Sequence, residues 1–212
     1  MKCIGIIAVL VLGIATTSPA MAQGITTTIT DQNGKTTTSN ATATRENNTT
    51  TINRTTTYAN GKTTTGTSVI TRDGNTVNFN RTTIHPDGKT TNTTGSTTYT
   101  NNGKGNGTAT RTNRKGEVNN YTVEGQRTRT GHTITKTGTI TNTGNQTTFN
   151  NSRTCTDGQC AFNRSFTDAQ GRNRTTTGTA PRNDNGNWSG NYNVTRRNGT
   201  TGSGSFTRVR SR

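Results

Sequence analysis

Acidic residues, cysteines, aromatic side chains and long apolar runs are all scarce in this chain, and each scarcity excludes a class of function. Asp and Glu number only nine among 212 residues, against 25 Lys and Arg. Eight of the nine (Asp31, Glu46, Asp73, Asp87, Glu117, Asp157, Asp168 and Asp184) lie in or beside Asn- and Gly-rich turn signals, where Asp serves the backbone. Only Glu124 falls within an extended segment, so no carboxylate pair is offered for glycoside hydrolysis. His85 and His132 have no G-x-S-x-G nucleophile elbow near them. The glycines are spaced for turns and none opens a helix, which leaves no phosphate-cradling loop. The chain therefore reads as non-enzymatic and without a cofactor.

The one apolar run stands at the start, from Ile4 to Ile14, after Lys2 and before Ala20-Met21-Ala22. That arrangement predicts a secretory signal peptide over residues 1–22, with a single mature domain over 23–212. The run is shorter than the roughly 20 apolar residues of a spanning helix. Export to the periplasm, cell surface or extracellular space follows as an expectation. Cys3 leaves with the signal, so the mature chain keeps Cys155 and Cys160 in a compartment that permits their oxidation.

What is abundant is Thr, with 57 residues, and Asn, with 28. Low apolar content and high charge are the signature of disorder, but Thr has a branched β-carbon suited to a pleated sheet. Its arrangement decides the matter. Turn signals recur at Gly34, Gly61, Gly88, Gly116, Gly144, Gly171 and Gly199, in steps of 27 or 28 residues. A second series lies midway: Asn47, Gly74, Gly103, Gly131, Gly158 and Gly186. Asn-Gly and Asp-Gly are strong hairpin signals because both residues accept a positive φ. The segments between them, such as KTTTGTSVITR and TVNFNRTTI, show no helical stripe.

This spacing predicts an all-β, repetitive antiparallel meander of about thirteen strands, built on a two-strand repeat of 27–28 residues. Each strand would be about 30 Å long, and the sheet could stay open, curl or close barrel-like. Ile52-Asn53-Arg54, Phe79-Asn80-Arg81 and Phe162-Asn163-Arg164 share one phase of the repeat, so alternation puts each apolar residue and its Arg on one face. About two large apolar groups per strand make a thin core.

Gly158 falls on the glycine series, so Asp157-Gly158 forms a two-residue turn and Cys155 and Cys160 become the next cross-strand pair outward. Such a non-hydrogen-bonded pair has α-carbons roughly 4.5 Å apart, within disulfide range. A disulfide clipping one hairpin is expected. Metal binding is not, since four ligands are normally wanted and both His lie in other repeats.

Formal net charge is +16 over the full chain. A polycation outside the cytoplasm attracts anionic polysaccharide, lipopolysaccharide or extracellular DNA, with salt-dependent affinity. Arg54, Arg81 and Arg164 are the candidate polyanion contacts; the alternative is that their stems cover the core and that basic groups protect strand edges. Two further expectations compete. Thr135-x-Thr137-x-Thr139 resembles the Thr ladders of insect-type antifreeze proteins, which implies ice binding. Repeated strands free at both ends of a meander imply self-association into a surface fibre. An outer-membrane barrel is disfavoured, because it needs an outward apolar band about 25 Å tall. Across the mature length, the Asn-Gly-Lys-Thr and Asp-Gly-Asn-Thr turns resemble those of exported bacterial Thr/Asn/Gly-rich repeat proteins. That resemblance supports the architecture and implies no particular activity.

Overall fold

A computed structural model describes residues 23–143, 145–181 and 187–211. Residues 1–22, where a signal segment is expected, and Gly144, Asp184 and Gly186 lie outside the described residues. Fourteen strands follow one another: β1 (Gln23–Asp31), β2 (Thr36–Glu46), β3 (Thr49–Thr57), β4 (Thr63–Asp73), β5 (Thr76–Ile84), β6 (Thr90–Tyr99) and β7 (Lys104–Thr112). The second half comprises β8 (Val118–Thr130), β9 (Thr133–Asn142), β10 (Asn145–Thr156), β11 (Gln159–Thr167), β12 (Asn173–Pro181), β13 (Trp188–Thr195) and β14 (Thr201–Ser211). Each pairs antiparallel with its neighbours in sequence, and β1 pairs with β14 to close a barrel. The meander is thus as expected, but the count is fourteen rather than about thirteen, since thirteen turns separate fourteen strands.

Among the described residues, the two interleaved turn series mark the two rims of the barrel. On one rim most turns are long: Tyr58 N donates to Lys62 O and Gly61 N donates to Tyr58 O, both at 2.9 Å, and Gly61 holds φ at 76°. The pattern recurs at Gly34, Gly88, Gly116, Gly171 and Gly199. On the other rim two-residue turns dominate, as at Asn47-Asn48, Gly74-Asn75, Gly131-His132 and Asp157-Gly158. Their first residues all have positive φ, the geometry that matches the twist of the flanking strands.

Cross-strand partners share a face, so the register sorts every strand residue into one of two sets. The buried residues Val77, Thr91, Thr93, Ala109, Cys160 and Ala180 all belong to one set. Following the ladder once around the barrel returns to β1 displaced by about 18 residues, so the strands tilt steeply. With the right-handed coil that L-residues impose, the direction of that shift makes the same set the concave one. This inner set holds every strand aromatic and nine of the thirteen strand Ile and Val side chains, including Ile25, Ile52, Phe79, Phe162 and Phe206. The outer set is Thr, Ser and Asn almost throughout.

Strand glycines let the rings lie flat. In the register Gly95 faces Phe79, Gly138 faces Phe149, Gly178 faces Phe162 and Gly204 faces Tyr192. A β-carbon added at Gly178 would come within 2.5 Å of the Phe162 ring, and at Gly95 within 2.7 Å of Phe79. Rings laid over cross-strand glycines cover backbone that would otherwise be bare, and they permit the bending that closure needs. Thin as it is, this layer leaves no described side chain fully buried. The interior is a lumen lined by side chains, between the filled core of an eight-stranded barrel and the open channel of a 16-stranded one.

Outside, hydroxyl and amide groups join neighbouring strands. Thr26 donates to Asn40, Thr67 to Asn53 and Thr110 to Asn120, each at 2.9 Å between direct cross-strand partners. Such pairs contribute roughly 0.2–1 kcal/mol each. Large apolar groups on this face are limited to Val69, Ile84, Val118 and Val209, all exposed, which is no lipid-facing band.

Candidate functional site

Every arginine in a strand, from Arg45 in β2 to Arg210 in β14, belongs to the inner set, as does Lys136 of β9. The outer set carries only Glu46, Asp73, Lys104 and Glu124 as charges, three of them at strand ends. The single inward strand carboxylate is Asp31, at the rim, where its Oδ1 accepts from Asn33 N and Lys35 N. Acidic side chains elsewhere repeat that turn role: Asp87 accepts from Lys89 N, and Asp168 from Gln170 N and Arg172 N. The ion pairs Arg114–Asp87, Arg172–Asp168 and Arg197–Asp168 likewise lie in turns. The lumen is therefore strongly cationic, and the acids that could neutralise it are held at the rims.

The three arginines singled out from sequence share one face with their apolar neighbours, as alternation requires, but it is the inner face and not an exposed outer surface. Arg54 and Arg81 come together with Arg111. Burial lowers the Arg81 pKa from its ordinary value, and the charges of Arg54 and Arg111 lower it further. Arg81 and Arg111 flank the buried Thr93 on one row of the ladder. Arg164 stands elsewhere, with its guanidinium 5.6 Å from the ring centroid of its strand-mate Phe162. Its row runs through Asn151 to Lys136 and Arg127. The Lys136 pKa is lowered by burial first and then by Arg127 and Arg164.

A second concentration was not singled out from sequence. Arg208 pairs directly with Trp188, and the guanidinium of Arg153 lies 4.9 Å from the Trp188 ring. Burial lowers the Arg208 pKa, as do Arg210, Arg54 and Arg153. Arg54 and Arg153 stand three and four strands from Arg208 around the sheet, so their charges meet in the lumen. The signal for this group lay in the strand register: alternation puts Arg208 and Arg210 in one set, but only closure of β14 on β1 brings them near Arg54. Buried Nε atoms of Arg111, Arg208 and Arg210, and Oδ1 of Asn151, have no hydrogen-bond partner.

Cys155 and Cys160 form the expected disulfide across the Asp157-Gly158 turn, with α-carbons 4.1 Å apart. Both side chains point inward, where Arg153 Nε donates to Cys155 Sγ at 3.0 Å. Among the described residues no group of three His, Cys, Asp or Glu side chains is placed to hold a metal ion.

Fold and site together define a closed, fourteen-stranded antiparallel barrel with a cationic lumen. A solved structure of a triple mutant of Rh. blastica porin has a similar fold, with a TM-score of 0.53 and 7% sequence identity, over 90% of this chain and 98% of that one. No family model matches the chain, and no curated protein matches it. At that identity the likeness concerns the fold alone.

Proposed function

We propose that this is a non-catalytic, exported protein of the cell envelope or extracellular matrix that binds anionic polymers through the basic face of its β-sheet. One observation carries the reading: the strand arginines are gathered on a single face that has no carboxylate away from its rim. Random placement of basic residues for solubility would scatter them over the outer face, where the sheet meets water, and there the strands carry Lys104 alone. A concentrated, unbalanced positive field in a low-dielectric recess attracts polyanions. Lipopolysaccharide, acidic polysaccharide and extracellular DNA are the available polymers of that charge. The test is retention of the mature protein on each isolated polymer at about 0.05 and 0.5 M salt. Retention should fall steeply between the two, as counterion release requires, and retention unchanged at high salt would refute the reading.

Ice binding and fibre formation have less support. The Thr135, Thr137 and Thr139 side chains do share the outer face, free of arginine, but a barrel presents that face as a convex surface rather than a flat one. Pairing of β1 with β14 also occupies the two edges from which a fibre would grow.

A further inference from the structure

We propose that the polyanion site is the lumen itself, and that it takes a thin, flexible chain of tetrahedral oxyanions, of the polyphosphate class, in preference to a rigid or bulky polymer. The inference rests on the anion-binding reading above and assigns it a place and a ligand chemistry.

Its first support is convergence. Arg54 interacts electrostatically with Arg81 on one side and with Arg208 on the other, so the two cationic groups are continuous through it. Arg111, Arg81, Arg54, Arg208 and Arg210 thus trace a path along the inner wall, from near the long-turn rim at Arg111 to near the short-turn rim at Arg210. Like charges so placed repel, and at Arg81, Arg111, Arg208 and Arg210, though not at the exposed Arg54, partial burial removes the water that would screen them. A counter-charge along the path relieves both costs.

The second support is the set of vacant donors. Nε of Arg111, Arg208 and Arg210 is buried without a partner, and a desolvated N–H left unpaired is costly. Two of these donors lie on β14 and the third on β7, seven strands away on the opposite side of the barrel, so acceptors are wanted at both ends of the path. Guanidinium forks match phosphate and carboxylate oxygens alike, but a tetrahedral phosphate offers oxygens in several directions at once. Neighbouring donors such as those of Arg208 and Arg210 on β14 can then share one group, which a planar carboxylate serves poorly. The inward rings and long cationic stems also narrow the lumen against duplex DNA.

The experiment is calorimetric titration of the oxidised mature protein with polyphosphates of increasing length, inorganic phosphate, an oligouronate and a short DNA duplex. Polyphosphate affinity should rise with chain length and then level off once the chain spans the path, with inorganic phosphate much weaker. Arg81→Gln and Arg208→Gln should each weaken polyphosphate about ten-fold, the loss of one charge-assisted contact. The rim substitutions Lys62→Gln and Lys115→Gln should change it less than about two-fold. Arg81→Lys and Arg208→Lys, which keep charge but lose the fork, should fall between, with thermal melting confirming that each variant is folded. If rim substitutions weaken binding as much as lumenal ones, the lumenal site is wrong while polyanion binding stands. If the oligouronate binds more tightly than polyphosphate and loses as much in Arg81→Gln, the ligand class is wrong. If no polyanion binds at all, this inference and the function proposed above fall together.

Discussion

The inner and outer faces of this barrel are made from the same fourteen strands, yet they obey different chemistry. Outward positions hold Thr, Ser and Asn, joined by cross-strand bonds such as Thr67 to Asn53. Inward positions hold rings laid on glycines, the strand arginines, Arg81 and Arg208 among them half-buried, and a disulfide. The outer face is repetitive because each position meets the same surroundings, water on one side and a neighbouring hydroxyl on the other. The inner face is heterogeneous because closure brings side chains from distant strands together, and each must fit what it meets. Stability is thus spread evenly outside and concentrated at particular residues inside. Electrostatic strain is confined to the inside.

Substitutions at adjacent positions test that contrast most directly. Gly178→Ala places a methyl group against the Phe162 ring and a neighbouring backbone carbonyl, so it should destabilise by about 3 kcal/mol, the upper part of the overpacking range. Thr177→Ala, one residue away on the outer face, should cost less than about 0.5 kcal/mol in the same urea titration. Equal effects would remove the distinction between the faces.

Next in size is the disulfide. Replacing Cys155 and Cys160 together by Ser should cost about 2 kcal/mol, because the bond closes only a short loop. The measured loss should match that caused by reducing the wild-type protein.

Asn151→Asp should act with the opposite sign. Asn151 stands between Lys136 and Arg164 on one row, with a buried Oδ1 that has no partner. A carboxylate there should raise stability by about 1 kcal/mol at neutral pH, whereas Asn150→Asp on the outer face should change it little. The same pair gives a pH test. Lys136 binds its proton less tightly in the folded protein than in the unfolded chain, so the unfolded chain holds more protons over the window just below the ordinary lysine value. Stability should therefore rise with pH across that window, and this rise should flatten in both Asn151→Asp and Lys136→Met.

Smallest is the loss of an outer bond. Thr67→Val removes the donor to Asn53 at an exposed position and should cost about 0.5 kcal/mol. A loss above about 2 kcal/mol would mean that the outer ladders carry more of the fold than the inner layer does.

Turns were legible in the chain because their chemistry is local: a positive φ at Gly61 or Asp157 is specified by the residue itself and its neighbours. The Cys155–Cys160 bond was legible for the same reason, its geometry being set by a two-residue turn. The shared face of Phe79 with Arg81, and of Phe162 with Arg164, followed from alternation alone. Mid-strand glycines were not recognised, although Gly95, Gly138 and Gly178 each sit between hydroxyl residues and opposite an aromatic one hairpin away. Finding them requires the register as well as the sequence of a single strand.

By itself, then, the sequence determined the strands, the turns, the two-face alternation and the excess of positive charge. Those depend on contacts within one hairpin, where loop closure is short and the partner is dictated by the turn. The tertiary structure decided that the basic face is the inner one. That outcome rests on β1 pairing with β14 across nearly the whole described chain and on the right-handed coil of the closed sheet. No local pattern encodes it, because an open sheet with the same alternation has no inside.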